Sequence, residues 1–471
     1  MIEEEKTSKN SQDWNNNSND SKINDVVEIN KARFSAVKII SRFERSDAYL
    51  NKLLKKELDE GNLSSQDKSL LTELVNGVIR WRWKLDWVLT GFYRGDYLKC
   101  LNIVKNSLRV GLYQILFLDR VPVHAAINES VEMIKRIQGE KIAGVVNGVL
   151  RNISRNIENI RYPSKEADMV YYYTIMKSHP RWMVKRWIEL FGEEDAVKLL
   201  DANNQRPYTT IRINLLKCGI DEVKNSLTRL GINFQSSLYA VEALTITSRG
   251  VDISSLDLFK DGKIAIQDTS ALSATKLANA KSGHRILDLC SAPGGKSFSL
   301  AEQSNDSGVV IAVDKYPSKL RFIKEGAERL GLKSIQVLEA DASDYDFDEL
   351  FDIVFADVPC SGLGTLSKKP DIKWKRERED IGIMVNTQRA ILDNAARFVK
   401  PGGALIYSTC TIEPKENEEN ISYFLKEHPE FQIDSAEKYL PVEICKNGFM
   451  QTLQHIHNTD GAFAARLIKQ D

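Results

Sequence analysis

Two cysteines occupy comparable places in the chain, each just past an apolar run. Cys360 lies in "DIVFADVPCSGLG" (352–364) and Cys410 in "LIYSTCTIEP" (405–414). Asp357 and Pro359 precede the first thiol, and two glycines break the run after it. A thiolate at the end of a buried strand can act as a covalent catalyst. Methyl transfer to a pyrimidine carbon needs one, because that carbon is a poor nucleophile until sulfur adds to its ring neighbour. One sulfur then attacks, a carboxylate such as Asp357 protonates or holds the ring nitrogen, and a second thiol or base helps resolve the adduct. Spacing does not say which cysteine attacks. A single buried cysteine is most often inert packing, but two at equivalent strand ends point to chemistry.

A second stretch, "LDLCSAPGGKSFSLAE", reads as a strand turning into a helix. Gly294 and Gly295 permit a tight turn and close ligand approach, and the helix start offers free N–H groups. Asp314 closes the next strand, 20 residues after Gly294, where a ribose-binding acid belongs. With Asp288 and Asp341 it makes three acids at successive strand ends, a set suited to an amine, a ribose diol and an adenine rather than a polyphosphate. The run "GKS" (295–297) copies the tail of a phosphate-binding loop, but the first glycine of such a loop would fall on Cys290. A nucleotide hydrolase is therefore disfavoured.

The elements that carry these residues alternate. From about 262 onward, "HRILDLC", "VVIAVD", "IQVLEAD", "DIVFADV", "GALIYSTC" and "AFAARLI" are separated by helical runs, which predicts a doubly wound, mostly parallel α/β sheet. If the fourth and fifth strands both neighbour the first, the two thiols share the ligand edge. Residues 165–260 read as a small α+β module, and 31–158 as an all-α domain with apolar residues every three or four positions. Within the latter, "VIRWRWKLDW" interleaves Arg80, Arg82 and Lys84 with Trp81, Trp83 and Trp87. That mixture suits RNA, through phosphate contacts and stacking; the alternative is tryptophans packed inward with solvated cations on the other face.

Composition narrows the class. The 471 residues carry equal numbers of acidic and basic side chains, yet residues 31–160 hold 22 Lys and Arg against 14 Asp and Glu, a local surplus of 8 expected of a polyanion binder. No apolar run approaches the ~20 residues of a membrane span, so no membrane partner is expected. The six cysteines form no Cys-x-x-Cys pair and no His clusters at ligand spacing, so no metal is expected. The Asn/Ser-rich start, residues 1–30, lacks the basic start and apolar core of a signal peptide and reads as a disordered extension of a cytoplasmic protein.

The segments "DLCSAPGGKS", "DVPCSGLG", "KKPDIKW", "STCTIEPKENE" and "NTDGAFAARL" resemble, in order, the RNA 5-methylcytosine methyltransferases of the Sun, Fmu or RsmB type. Residues 31–158, with "VPVHAAINESVEM" and "VVNGVLRNI", resemble a NusB-type RNA-binding domain. The resemblance implies a Rossmann-like class I methyltransferase domain at 261–471. It also implies S-adenosylmethionine lined by Cys290, Ser291, Ala292, Pro293, Gly294, Gly295 and Lys296 with Asp314, Asp341 and Asp357. It makes Cys410 the attacking thiolate and Cys360 the thiol that assists release, and it points to 16S rRNA as the substrate. Lys296 is expected to settle the cofactor and the Asp357 region, and Cys100, Cys218 and Cys445 match no signature and read as packing. Thr365, Leu366 and Ser367 stand where many relatives are more basic. The same chemistry on transfer RNA or another RNA, and a non-catalytic RNA-binding ribosome assembly factor, are the competing readings.

Overall fold

A computed structural model describes residues 31–470; the expectation for residues 1–30 lies outside the described residues. Helices dominate the first part, from Lys31–Phe43 to Glu140–Arg155, and no strand occurs before Thr209 among the described residues. Their apolar faces meet in one core that includes Ile40, Leu71, Leu74, Leu108 and Leu150. Arg109 is buried in this core. It is held by Asp86 at 2.6 and 2.7 Å and by Glu44 at 2.6 Å, which offsets the cost of desolvating its guanidinium.

The arginine and tryptophan segment does not present a free stacking surface. Trp81 stacks on Phe117 at 4.8 Å, Trp83 meets Trp374 at 5.4 Å, and the Trp87 indole donates to the Arg161 carbonyl at 2.9 Å. The cations turn inward too: Arg80 donates to the Ser367 carbonyl at 2.8 Å and Arg82 pairs with Glu44 at 3.3 Å. The rings pack, as one reading of the spacing had it. The cations are not solvated opposite them, because this face meets the loop that follows Cys360. In that loop Lys373, fully buried, donates to the carbonyls of Arg80 and Ser178 and to Asn204 Oδ1 at 2.9, 3.0 and 3.0 Å. The Trp374 indole donates to the Ile79 carbonyl at 2.7 Å.

Helices Met169–Met176 and Arg181–Asn204 lead to a four-stranded antiparallel sheet of β1 (Thr209–Ile213), β2 (Phe234–Ser236), β3 (Ala243–Ile246) and β4 (Ile264–Ile266), in the order β2-β3-β1-β4. β4 lies past residue 260, where the sequence placed the module's end. Three residues are too few to carry a period, so pairing with β1 alone reveals it.

The second sheet comprises β5 (Arg285–Leu289), β6 (Val309–Asp314), β7 (Ile335–Glu339), β8 (Phe351–Asp357), β9 (Val399–Thr409), β10 (Phe431–Ile433), β11 (Cys445–Lys446), β12 (Phe449–Thr452) and β13 (Ala462–Lys469). Its order is β11-β12-β13-β9-β8-β5-β6-β7, with β10 on β13. β5 to β9 run parallel and wind doubly as expected, but β10 to β13 pair antiparallel, so the whole sheet is mixed rather than mostly parallel. Strand order reverses beside β5, the place where such sheets bind ligands. β8 neighbours β5, but β9 lies one strand further out, which corrects the expectation that both flank the first strand.

Candidate active site

The loop after β5 is shaped by backbone. Cys290 has φ +60° and Gly294 φ +107°, both in the left-handed region. A Cβ on Gly294 would lie 2.4 Å from the Phe298 ring, so glycine is required there, whereas one on Gly295 would project into open space. Ser291 donates through its N–H and its hydroxyl to the Val313 carbonyl, at 2.8 and 3.0 Å. Asp314 accepts from the Tyr316 N–H at 3.0 Å and the Ala292 N–H at 3.3 Å, joining the end of β6 to the loop. Asp341, past β7, is more exposed; it accepts from the Ser343 N–H at 3.1 Å and lies 3.7 Å from Lys315. Asp288 differs from its reading as a ligand-facing acid. It is fully buried within β5, takes a hydrogen bond from the Ser297 hydroxyl, and is pushed by burial up to about 7.

Burial, then the fields of Asp357, Asp314, Asp288 and Asp341, push the Cys290 thiol up to about 12. The carboxylates of Asp314, Asp341 and Asp357 therefore converge on this loop, a setting for a cationic ligand and against a polyphosphate. Lys296 is not free for phosphate either, since its ammonium holds Asp357 Oδ2 at 2.8 Å. Burial opposes the Lys296 charge, but Asp357 outweighs it and raises the pKa.

The two thiols meet. β8 and β9 pair Asp357 with Ser408, so the turns beyond them start level, and Cys360 Sγ lies 3.4 Å from Cys410 Sγ. The Gly364 N–H donates to the Cys410 carbonyl at 3.1 Å, and the Gly461 N–H to the Gly364 carbonyl at 2.8 Å. That approach needs two glycines, since a Cβ on Gly364 would lie 1.8 Å from the Gly461 carbonyl oxygen. The hydrogen bond from Cys360 lowers the Cys410 thiol below its ordinary value against the effect of burial, and the cations Lys369 and Lys296 act the same way. Cys360 moves the other way, through its bond to Cys410, burial and the charges of Cys410 and Glu416. The arrangement shifts the two thiols in opposite directions.

The description "16S rRNA methyltransferase RsmB/F" fits residues 275–468, "NusB family" residues 30–155, and "RsmF/B-like, ferredoxin-like domain" residues 179–254. The probable ribosomal RNA small subunit methyltransferase B of Bacillus subtilis (strain 168) is 37% identical over 445 residues, covering 92% of this chain and 98% of its own. The chain belongs to the RsmB/F methyltransferase family. The ribosomal RNA small subunit methyltransferase B of Shewanella oneidensis is 34% identical over 86% of this chain and 92% of its own. Among solved structures, that of PH0851 superposes with a TM-score of 0.78 at 25% identity, covering 94% of this chain and 100% of that one.

Within this family member, sequence reasoning missed the groups that brace the site. Ser361, Gln388 and Glu416 form a buried cluster under the thiols. From the small module, Arg212 on β1 reaches across to the cofactor loop. It donates to Gln267 Oε1 at 2.7 Å, to Glu302 Oε1 at 2.8 Å and to the Gly295 carbonyl at 3.3 Å. Lys368 bridges Asp268 and Asp460, tying "IQDTSA" to "NTDGAF". Spacing carries no signal for these, because each pair lies tens to hundreds of residues apart. Cys100, Cys218 and Cys445 pack against hydrophobic clusters away from the thiol pair. Among the described residues no cluster of three or more metal-ligating side chains occurs and no helix is long and apolar enough to cross a membrane.

Proposed function

We propose that this protein methylates C5 of a cytosine in small-subunit (16S) rRNA through a covalent cysteine–RNA adduct, working in the cytoplasm alongside that RNA. The observation that carries the reading is the pair of sulfurs 3.4 Å apart, one lowered and one raised in pKa, beside the Lys296–Asp357 ion pair. S-adenosylmethionine, held by Cys290 to Lys296 with Asp314, Asp341 and Asp357, supplies the methyl group. The residues fit that cofactor, since Gly295 opens onto free space beside Asp314, Asp341 and Asp357, whose carboxylates favour its positive charge.

The chain's own work is on the cytosine. A base stacked in RNA hides its ring faces, so the target is taken out of the stack. The Cys410 thiolate adds to C6, forming the C6–S bond and moving electron density to C5. Asp357, oriented by Lys296, passes the proton that Cys410 gives up to the ring nitrogen N3, which receives this density, and N3 returns it when the sulfur leaves. Once C5 carries the methyl group, its proton passes to a base, the C5=C6 bond re-forms and the sulfur leaves. Cys360, adjacent to Cys410, assists this release.

Purified protein incubated with 16S rRNA and labelled S-adenosylmethionine, followed by nucleoside mass spectrometry, is expected to yield 5-methylcytosine. Methylation at another atom, or none with the cofactor bound, would defeat the reading.

A further inference from the structure

Between the two thiol-bearing turns lies a carboxylate that the mechanism above does not use. Glu416 sits in the short helical turn Pro414–Glu416, six residues after Cys410, and is fully buried. One oxygen accepts from the Ser361 N–H at 2.8 Å and from Gln388 Nε2 at 2.9 Å, and the other accepts from the Ser361 hydroxyl. The Ser361 hydroxyl also bonds Thr411 Oγ1 at 2.7 Å, and Gln388 Nε2 donates to the Pro359 carbonyl at 3.0 Å. The peptides on both sides of Cys360 are thus fastened to the turn that follows Cys410. Single carboxylates this deep are expensive to bury, and three donors converging on one is the means by which a fold retains it.

We infer that Glu416 is a positioning residue for adduct release: through Ser361 and Gln388 it fixes the peptides on both sides of Cys360 and so holds that thiol against Cys410. The inference rests on the cytosine-C5 reading for its chemistry. Its geometric part stands apart from that reading. The negative charge of Glu416 lies on the Cys360 side of the pair and raises that thiol, whereas the Lys369 and Lys296 cations act on Cys410. The other groups facing the cluster are Arg376, which donates to the Ser361 carbonyl at 3.2 Å, Tyr407, whose hydroxyl donates to the Glu416 carbonyl, and Glu413, whose charge acts with burial to raise Glu416.

The test uses the full chain. Glu416→Gln is expected to lower kcat at least tenfold while KM for RNA stays within threefold, and to leave protein–RNA adduct on denaturing gels. In a Cys410→Ala background, where no methylation is needed for the readout, Glu416→Gln is expected to speed iodoacetamide alkylation of Cys360 at pH 8 at least fivefold. Should Glu416→Gln fail to fold, Ser361→Ala removes the hydroxyl's bonds to Glu416 and Thr411 without touching the charge, and adduct should still persist beyond its native lifetime. Native release of adduct together with native alkylation rates in folded variants would overturn the inference. A native protein that makes no 5-methylcytosine would sink the parent chemistry, while the alkylation rates would still decide whether Glu416 sets the Cys360 thiol.

Discussion

At the residue scale the site stores an electrostatic cost in Asp288. Its carboxyl is raised from 3.8 to about 7 by burial, against the Ser297 hydrogen bond and the Lys296 charge that favour ionisation. Each unit of such a shift corresponds to about 1.4 kcal/mol. Below the unfolded pKa the group is protonated in both states and has no effect. As pH climbs from about 4 to 7 the unfolded chain releases the proton while the native one keeps it, so native stability falls, and above 7 the loss is constant. Asp288→Asn, which cannot ionise, is therefore expected to gain melting temperature over the native protein at pH 8 and to show little gain at pH 4.5. Equal shifts at both pH values would show that Asp288 titrates normally.

The same scale shows what the sequence could convey. The placement of Gly294, Asp314, Asp357, Cys360 and Cys410 at or just past strand ends was legible, because strand ends and glycine turns leave marks in a single stretch. Asp288 was misread because period-2 alternation does not reveal which side of a sheet is covered by a helix. Ser297, nine residues on, accounts for its inward turn.

Among the elements, the small module is more than a spacer. β1 sends Arg212 onto the helix that follows the cofactor loop, where it touches both Glu302 and the Gly295 carbonyl. Burial raises Glu302 to about 7 despite that arginine. Arg212→Met removes the donor held by Glu302 Oε1 and Gln267 Oε1 and the contact to the Gly295 carbonyl, an effect of about 1–3 kcal/mol per orphaned group. The expected result by calorimetry is at least a fivefold weaker affinity for S-adenosylmethionine, measured without RNA. Unchanged affinity would mean that the module only leans against the loop. None of this could be read in advance, since Arg212 and Glu302 lie 90 residues apart and no local pattern links them.

For the whole molecule, the alternation of strands and helices announced the catalytic sheet, and the helical period announced the first domain. What stayed hidden was the seam between them. "VIRWRWKLDW" offered an RNA-binding reading and a packed one, and "KKPDIKW" only a family signature, yet the two segments close on one another through Arg80, Trp83, Lys373 and Trp374. The helical domain thereby braces the loop that leaves Cys360. Lys373→Met strands three buried acceptors, and urea denaturation is expected to show a loss of about 1–3 kcal/mol or more, beyond that of an exposed lysine substitution. A loss near zero would mean that the seam is loose.

The role given to the thiol of Cys410 meets its most direct trial with 16S rRNA in which 5-fluorocytosine replaces cytosine, since fluorine at C5 cannot leave as a proton does and the adduct is held. Incubation with S-adenosylmethionine, digestion and peptide mass spectrometry should find the modified pyrimidine on the sulfur of Cys410. Recovery of the ring on Cys360, or on neither cysteine, would contradict the account.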